Sequence, residues 1–189
     1  MPIIDRILPE PLRADRSQWQ AARHLSILAA VTAISVPLLT IMYHLLGYDA
    51  VGMVVLTAGV VMMVTPFTLN AGVPLAVARD LFVGVLFLLK VWMAVHLGGV
   101  AAPTTPWFVL CPAIAMLLGG FRPGLVWAAI VTGTIVLLFG FEQAGLIQPP
   151  QPAPGVPVLQ LASMLGLAAL ITLVMALAKG AGAIERRGQ

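Results

Sequence analysis

The chain has 189 residues, of which 60% are hydrophobic and 9% charged, whereas a soluble domain carries roughly 25% charged residues. With a mean hydropathy of +1.03, too few polar groups remain to cover a water-facing surface, so a soluble globule is excluded. Six spans of about 20 residues would use roughly 120 residues, and the composition therefore points to an all-α polytopic bundle of six transmembrane helices. The pI of 9.6 does not signal nucleic-acid binding, because the basic residues sit at helix ends and form no stripe. The single cysteine, Cys111, excludes an intramolecular disulfide and reads as a packed small hydrophobe.

Residues 1–24 are charged throughout and lack the apolar core of a cleaved signal peptide. They read as a cytoplasmic, amphipathic lead-in to a transmembrane domain over 25–178. The first span is expected from Leu25 to Leu46, stopped by Gly47-Tyr48-Asp49, and the second from Ala50 to Leu69. Asn70-Ala71-Gly72 and Arg79-Asp80 separate it from a third span, Leu81 to Leu97, which Gly98-Gly99 ends. Pro106 suits the first turn of a fourth span reaching Leu118. A fifth runs from Gly124 to Phe141. The proline-rich stretch Gln148 to Pro157 cannot be regular helix, and a sixth span occupies Val158 to Ala178.

Six spans place both termini on one side. Starting inside, the inner segments hold Arg6, Arg13, Arg16, Arg23, Arg79, Arg122, Lys179, Arg186 and Arg187, nine of the ten basic residues, so the positive-inside rule predicts cytoplasmic termini. The outer loops hold Asp49 and Glu142 instead.

The tenth basic residue, Lys90, falls inside the third span, about 13 Å from Leu81. An ionised side chain at such depth costs about 2.5 to 3.5 kcal/mol. Two readings stand: the ammonium snorkels toward the outer face, or it joins a polar contact. No carboxylate lies mid-span to pair with it.

His44 near the outer end of the first span and His96 near that of the third share one leaflet by depth. Two imidazoles from different helices are the minimum for bis-His haem b ligation, and a histidine bonded to water or headgroups is the ordinary alternative. His24 lies about 30 Å along the helix from His44 and cannot share a centre with it. An inner haem at His24 would need a second axial ligand such as Met62, Met63, Met116 or Met175, although methionines in a bundle are more often flexible packing. Tyr48 and Trp107, with Trp19 and Trp127 toward the inner side, fit interfacial belts. Pro37, Pro66 and Pro112 interrupt the first, second and fourth spans and permit a cavity. Ala162 with Gly166, and Ala176 with Gly180, give small-xxx-small spacing for close packing within the bundle or a dimer seam.

The stretch from His96 to Pro150 carries a set of motifs: His96-Leu97-Gly98-Gly99, Pro103 to Trp107, Pro112, Gly120-Phe121-Arg122-Pro123-Gly124 to Trp127, and Glu142 to Gly145. In these it resembles the six-helix N-terminal membrane sensor domain found ahead of bacterial histidine kinases, diguanylate cyclases and class III adenylate cyclases, similar to the membrane part of quorum-sensing hydroxyketone receptors. The likeness covers the third to fifth helices, and the first two by hydropathy only.

The resemblance implies a sensory input domain in the bacterial inner membrane, with no catalysis in this chain. It implies a homodimer, a cytosolic output domain in cis beginning beyond a linker at 179–189, and a small lipophilic ligand or redox state as stimulus. Lys90, Trp107 and Glu142 are the candidate ligand or network residues, and His44, His96 and His24 the candidates for a haem. The ending GAGAIERRGQ has the character of a linker start, so the chain is expected to be a piece of a longer protein, the other reading being a stand-alone membrane subunit. The competing reading of the whole is a b-type cytochrome with haem held by His44 and His96. A small transporter ranks below both, and an anchoring and dimerising role alone would not require six helices.

Overall fold

A computed structural model describes residues 15–147 and 156–186. The lead-in through residue 14, most of the proline-rich stretch and the last three residues lie outside the described residues. Every regular element among the described residues is helical: α1 (Arg16–Leu45), α2 (Asp49–Thr68), α3 (Leu75–Leu97), α4 (Leu110–Gly119), α5 (Phe121–Gln143) and α6 (Val156–Arg186), with short 3-10 turns at Leu69–Ala71, Gly99–Ala101 and Thr105–Val109.

The expected spans hold their order, but most helices start earlier than apolarity alone suggests. The first helix begins nine residues before Leu25, because Asp15 accepts hydrogen bonds from the Ser17 N–H (2.9 Å) and Ser17 hydroxyl (2.7 Å) and so caps the free amides of the first turn. Residues 16–24 are therefore helical and continuous with the first span. Those bonds hold the fully exposed Asp15 carboxyl below its ordinary range. The third helix begins at Leu75, not Leu81, and takes in Arg79 and Asp80. These two form a bidentate pair (2.9 and 2.8 Å) that cancels their charges near the helix start. The last helix extends eight residues beyond Ala178, to Arg186, so the segment expected as a linker start is helical through that residue.

Among the described residues five helices are long and apolar enough to cross a membrane, and the fourth expected span is shorter, the Thr105–Gly119 segment. Its length is limited by two prolines. Pro106 sits at the start of the 3-10 turn and Pro112 in the first turn of α4, positions where a missing N–H costs little. Pro37, by contrast, lies within α1, and Pro66 near the end of α2.

The chain divides into two compact units, one comprising the chain through Leu86 with Leu117–Gly120, the other Phe87–Met116 with the chain from Phe121 on. In the first, α1 packs along α2. Large apolar side chains at Ile34, Leu38, Ile41 and Leu45, spaced by three and four, lie 57–79% exposed along one face of α1. In water that stripe would be a large apolar patch; against hydrocarbon it costs nothing. The opposite face of α1 buries Leu25, Leu28, Ala29, Val36 and Tyr43.

Gly59 of α2 lies against Val36 of α1, and a Cβ at this position would come within 2.9 Å of the Val36 Cβ and closer still to its methyl groups. Valine cannot rotate out of such an overlap. Gly59→Ala is expected to destabilise the α1–α2 pair by about 1 to 3 kcal/mol, and Gly59→Ala with Val36→Ala to recover most of the loss. Denaturant titration of the detergent-solubilised protein measures both; equal stability of wild type and Gly59→Ala would show that the helices separate without cost.

Candidate functional site

The site belongs to the second unit and is built on the C-terminal half of α3. Helical periodicity places Leu86, Leu89, Lys90, Met93 and Ala94 on its buried side, so the one mid-helix cation is turned inward by the pattern that turns its apolar neighbours inward. Lys90 is 7% exposed. It lies seven residues before Leu97, about 10 Å from that helix end, yet its ammonium does not run to the end of the helix.

The ammonium lies over the Trp107 ring, 4.5 Å from the centroid, and its other contact is the Met93 thioether at 3.9 Å. Among the described residues no carboxylate lies within ion-pair distance of it. Cys111 of α4, fully buried, is within electrostatic reach. A desolvated cation–π contact contributes about 2 kcal/mol and a thioether is a weak acceptor. Set against the cost of about 2.5 to 3.5 kcal/mol for a mid-membrane charge, the indole offsets most of the penalty and leaves a remainder.

Trp107 is held from its other edge. Its indole N–H donates to the Ser163 hydroxyl of α6 (2.6 Å), which donates to the Pro103 carbonyl (2.7 Å). The ring also rests on Gly166, where a Cβ would stand 3.1 Å from two of its carbons. Of the two small-xxx-small pairs on the sixth helix, the one containing Gly166 thus makes room for an aromatic ring of the same chain. Trp107 therefore belongs to a packed network, beyond the interfacial position its sequence context suggests. Trp127 likewise packs on Phe87, centroids 5.7 Å apart, and Phe87 meets Phe108 edge-on at 5.9 Å.

The loop that delivers Trp107 is fixed at several points. Gly98 and Gly99 take φ of 108° and 68°, values an L side chain rarely adopts. The Thr105 hydroxyl donates to the Gly99 carbonyl (3.0 Å). Glu142, at the end of α5, accepts from the Val100 N–H (3.1 Å). Of the three network candidates, then, Lys90 and Trp107 meet, while Glu142 serves the loop. Thr104, 3% exposed, carries a buried hydroxyl with no hydrogen-bond partner among the described residues.

None of the hydrogen bonds or ring contacts of this network involves a histidine among the described residues. His44 is exposed and its Nδ1 pairs with Asp49. His96 is exposed, stacks on Trp92 (centroids 4.1 Å) and bonds through Nδ1 to the Trp92 carbonyl at 2.8 Å. His24 is half-buried on α1. No cluster of three or more metal-ligating side chains occurs among the described residues.

Sequence reasoning found Lys90 and Trp107 but missed Ser163, Met93 and Thr104. The signal for Ser163 was a hydroxyl beside Ala162 in the apolar run of the sixth helix, within the small-xxx-small pair. Thr104 and Met93 carried none. No family profile, characterised protein or solved structure matches the chain.

Replacing Ser163 by Ala strands both the indole N–H and the Pro103 carbonyl. The expected loss is about 1 to 3 kcal/mol, read as a lower unfolding midpoint, with Ser163→Thr recovering part of it. An unchanged midpoint for Ser163→Ala would mean that neither group depends on the hydroxyl.

Proposed function

We propose that the chain is a transmembrane sensory input domain of a bacterial signalling protein, in which a change at the Lys90–Trp107 contact is passed to α6 and on to a catalytic output domain in cis. The observation that carries this reading is the Trp107 side chain, which lies under the buried cation of α3 on its ring face and bonds Ser163 of α6 through its N–H. Moving the ring for any reason alters the environment of α6, so the two helices share a single bistable element. A bare membrane anchor needs neither the cation nor the bond.

The remaining parts of the reading are consistent with this. The Thr105–Gly119 segment, five 3-10 and ten α-helical residues, extends about 25 Å, close to the hydrocarbon thickness of about 30 Å. Counted as a crossing it makes six, and nine of ten basic residues then fall on the side of both termini, which the positive-inside rule assigns to the cytoplasm. The motifs from His96 to Glu142 resemble those of bacterial sensor domains that work as homodimers, and α6 remains helical seven residues past its apolar span, which ends at Lys179.

The test joins an adenylate cyclase catalytic domain in frame after Arg186 and compares wild type with Trp107→Phe and Ser163→Ala at equal membrane insertion. Both variants are expected to shift basal cyclase output at least about fivefold, the lower end of ordinary coupling between sites. Unchanged output in both overturns the reading.

A second reading, a b-type cytochrome, is favoured by one observation. The Nδ1 atoms of His44 and His96 are both engaged with oxygen acceptors, the pattern that leaves Nε2 of a histidine to ligate a metal. The donor chemistry fits haem iron, and a bound haem would supply one-electron redox chemistry. Both imidazoles are exposed, His44 in the first unit and His96 in the second. An absorption spectrum of protein purified from haem-replete cells, oxidised and then dithionite-reduced, decides it: a Soret band lost in His44→Ala and His96→Ala supports the cytochrome, and a colourless preparation ends it.

A further inference from the structure

We propose that Lys90 anchors a carboxylate carried on an apolar chain, and that such a ligand binds by taking the place of the Trp107 ring over the ammonium. An ammonium has three N–H donors, and here they face an aromatic ring and a thioether. Among the described residues no oxygen accepts from it. Three residues before Trp107 in the chain, the Thr104 hydroxyl is buried without a partner among the described residues, and the Trp107 backbone N–H donates to the Thr104 carbonyl at 3.1 Å.

The ring is the more exposed member of the cluster. Trp107 is only part-buried, whereas the Lys90 ammonium beneath it is covered. A carboxylate is also the stronger partner for a cation in a medium of low polarity, since it meets a full charge with a full charge where the ring offers a quadrupole. Depth selects the kind of anion. Lys90 lies about 10 Å from the Leu97 end of α3, and a phospholipid phosphate would have to be drawn that far into hydrocarbon. A single-chain carboxylate brings its head group with it, and its tail meets the apolar faces around α3.

Displacing the ring breaks the Trp107–Ser163 bond and vacates the contact with Gly166, so ligand binding at α3 reaches α6 through the loss of two contacts. This consequence rests on the sensory reading above; the binding site itself does not.

The test uses the full chain in phosphatidylcholine nanodiscs titrated with dodecanoate, and reads the tryptophan emission of wild type minus that of Trp107→Phe. A saturable change is expected with dodecanoate and none with dodecan-1-ol. Affinity is expected to fall at least about tenfold in Lys90→Gln and to persist in Lys90→Arg. If circular dichroism shows that Lys90→Gln does not fold, Lys90→Met, which keeps the apolar stem and removes only the charge, serves in its place with the same expected loss. Equal affinity in a folded Lys90→Gln, or a dodecanol response matching that of dodecanoate, overturns the proposal. The same emission change in phosphatidylglycerol nanodiscs without dodecanoate also overturns it, and assigns Lys90 to a lipid phosphate. A failed titration leaves the cyclase fusion standing as a test of transmission through α6, and a silent fusion leaves the titration standing as a test of the site.

Discussion

A primary ammonium surrounded by hydrocarbon must find electron density close by, and in this chain it finds the face of one indole. Much of the second unit follows from keeping that ring in place. Two glycines with positive φ turn the chain out of α3, a threonine hydroxyl and a glutamate secure the turn, and a proline-led 3-10 segment presents the tryptophan. A serine on α6 then fixes its far edge. Each of these is a small polar device in an otherwise apolar sequence, and they converge on one side chain.

The distribution of polarity explains why such devices are concentrated. The helices carry large aliphatic side chains outward, as along Ile34 to Leu45 on α1 and at Val158, Leu161 and Leu165 on α6, while Lys90, Thr104, Thr105 and Ser163 are buried. In a lipid environment, outward apolar surface gives no reason for one arrangement of helices over another, because lipid tails are as apolar as the side chains. Hydrogen bonds, the cation–π contact and close approaches such as Gly59 on Val36 and Trp107 on Gly166 carry the specificity instead.

Hydropathy alone made the helices legible in order and number, because an apolar run must satisfy its own backbone. It misplaced their starts. A window that seeks apolar residues begins the first helix at Leu25 and the third at Leu81, yet helix formation depends on capping and on charges that cancel, which Asp15 and the Arg79–Asp80 pair provide. The fourth segment looks like the others to hydropathy, which does not register that its first five residues are a 3-10 turn and only Leu110–Gly119 is α-helix. At the site, Lys90 stood out by its cost and Trp107 by its motif. Their contact was not legible, since it depends on the turn angles of Gly98 and Gly99 and on a hydroxyl 56 residues further along the chain.

Ser163 and Arg186 lie on one uninterrupted helix of 31 residues, separated by about 35 Å of axis. Over that distance a rigid rod works as a lever. A tilt of about 5° pivoting near Ser163 sweeps the far end through about 3 Å, comparable with the width of a hydrogen bond. A small rotation at one end of this helix is therefore a displacement of atomic size at the other.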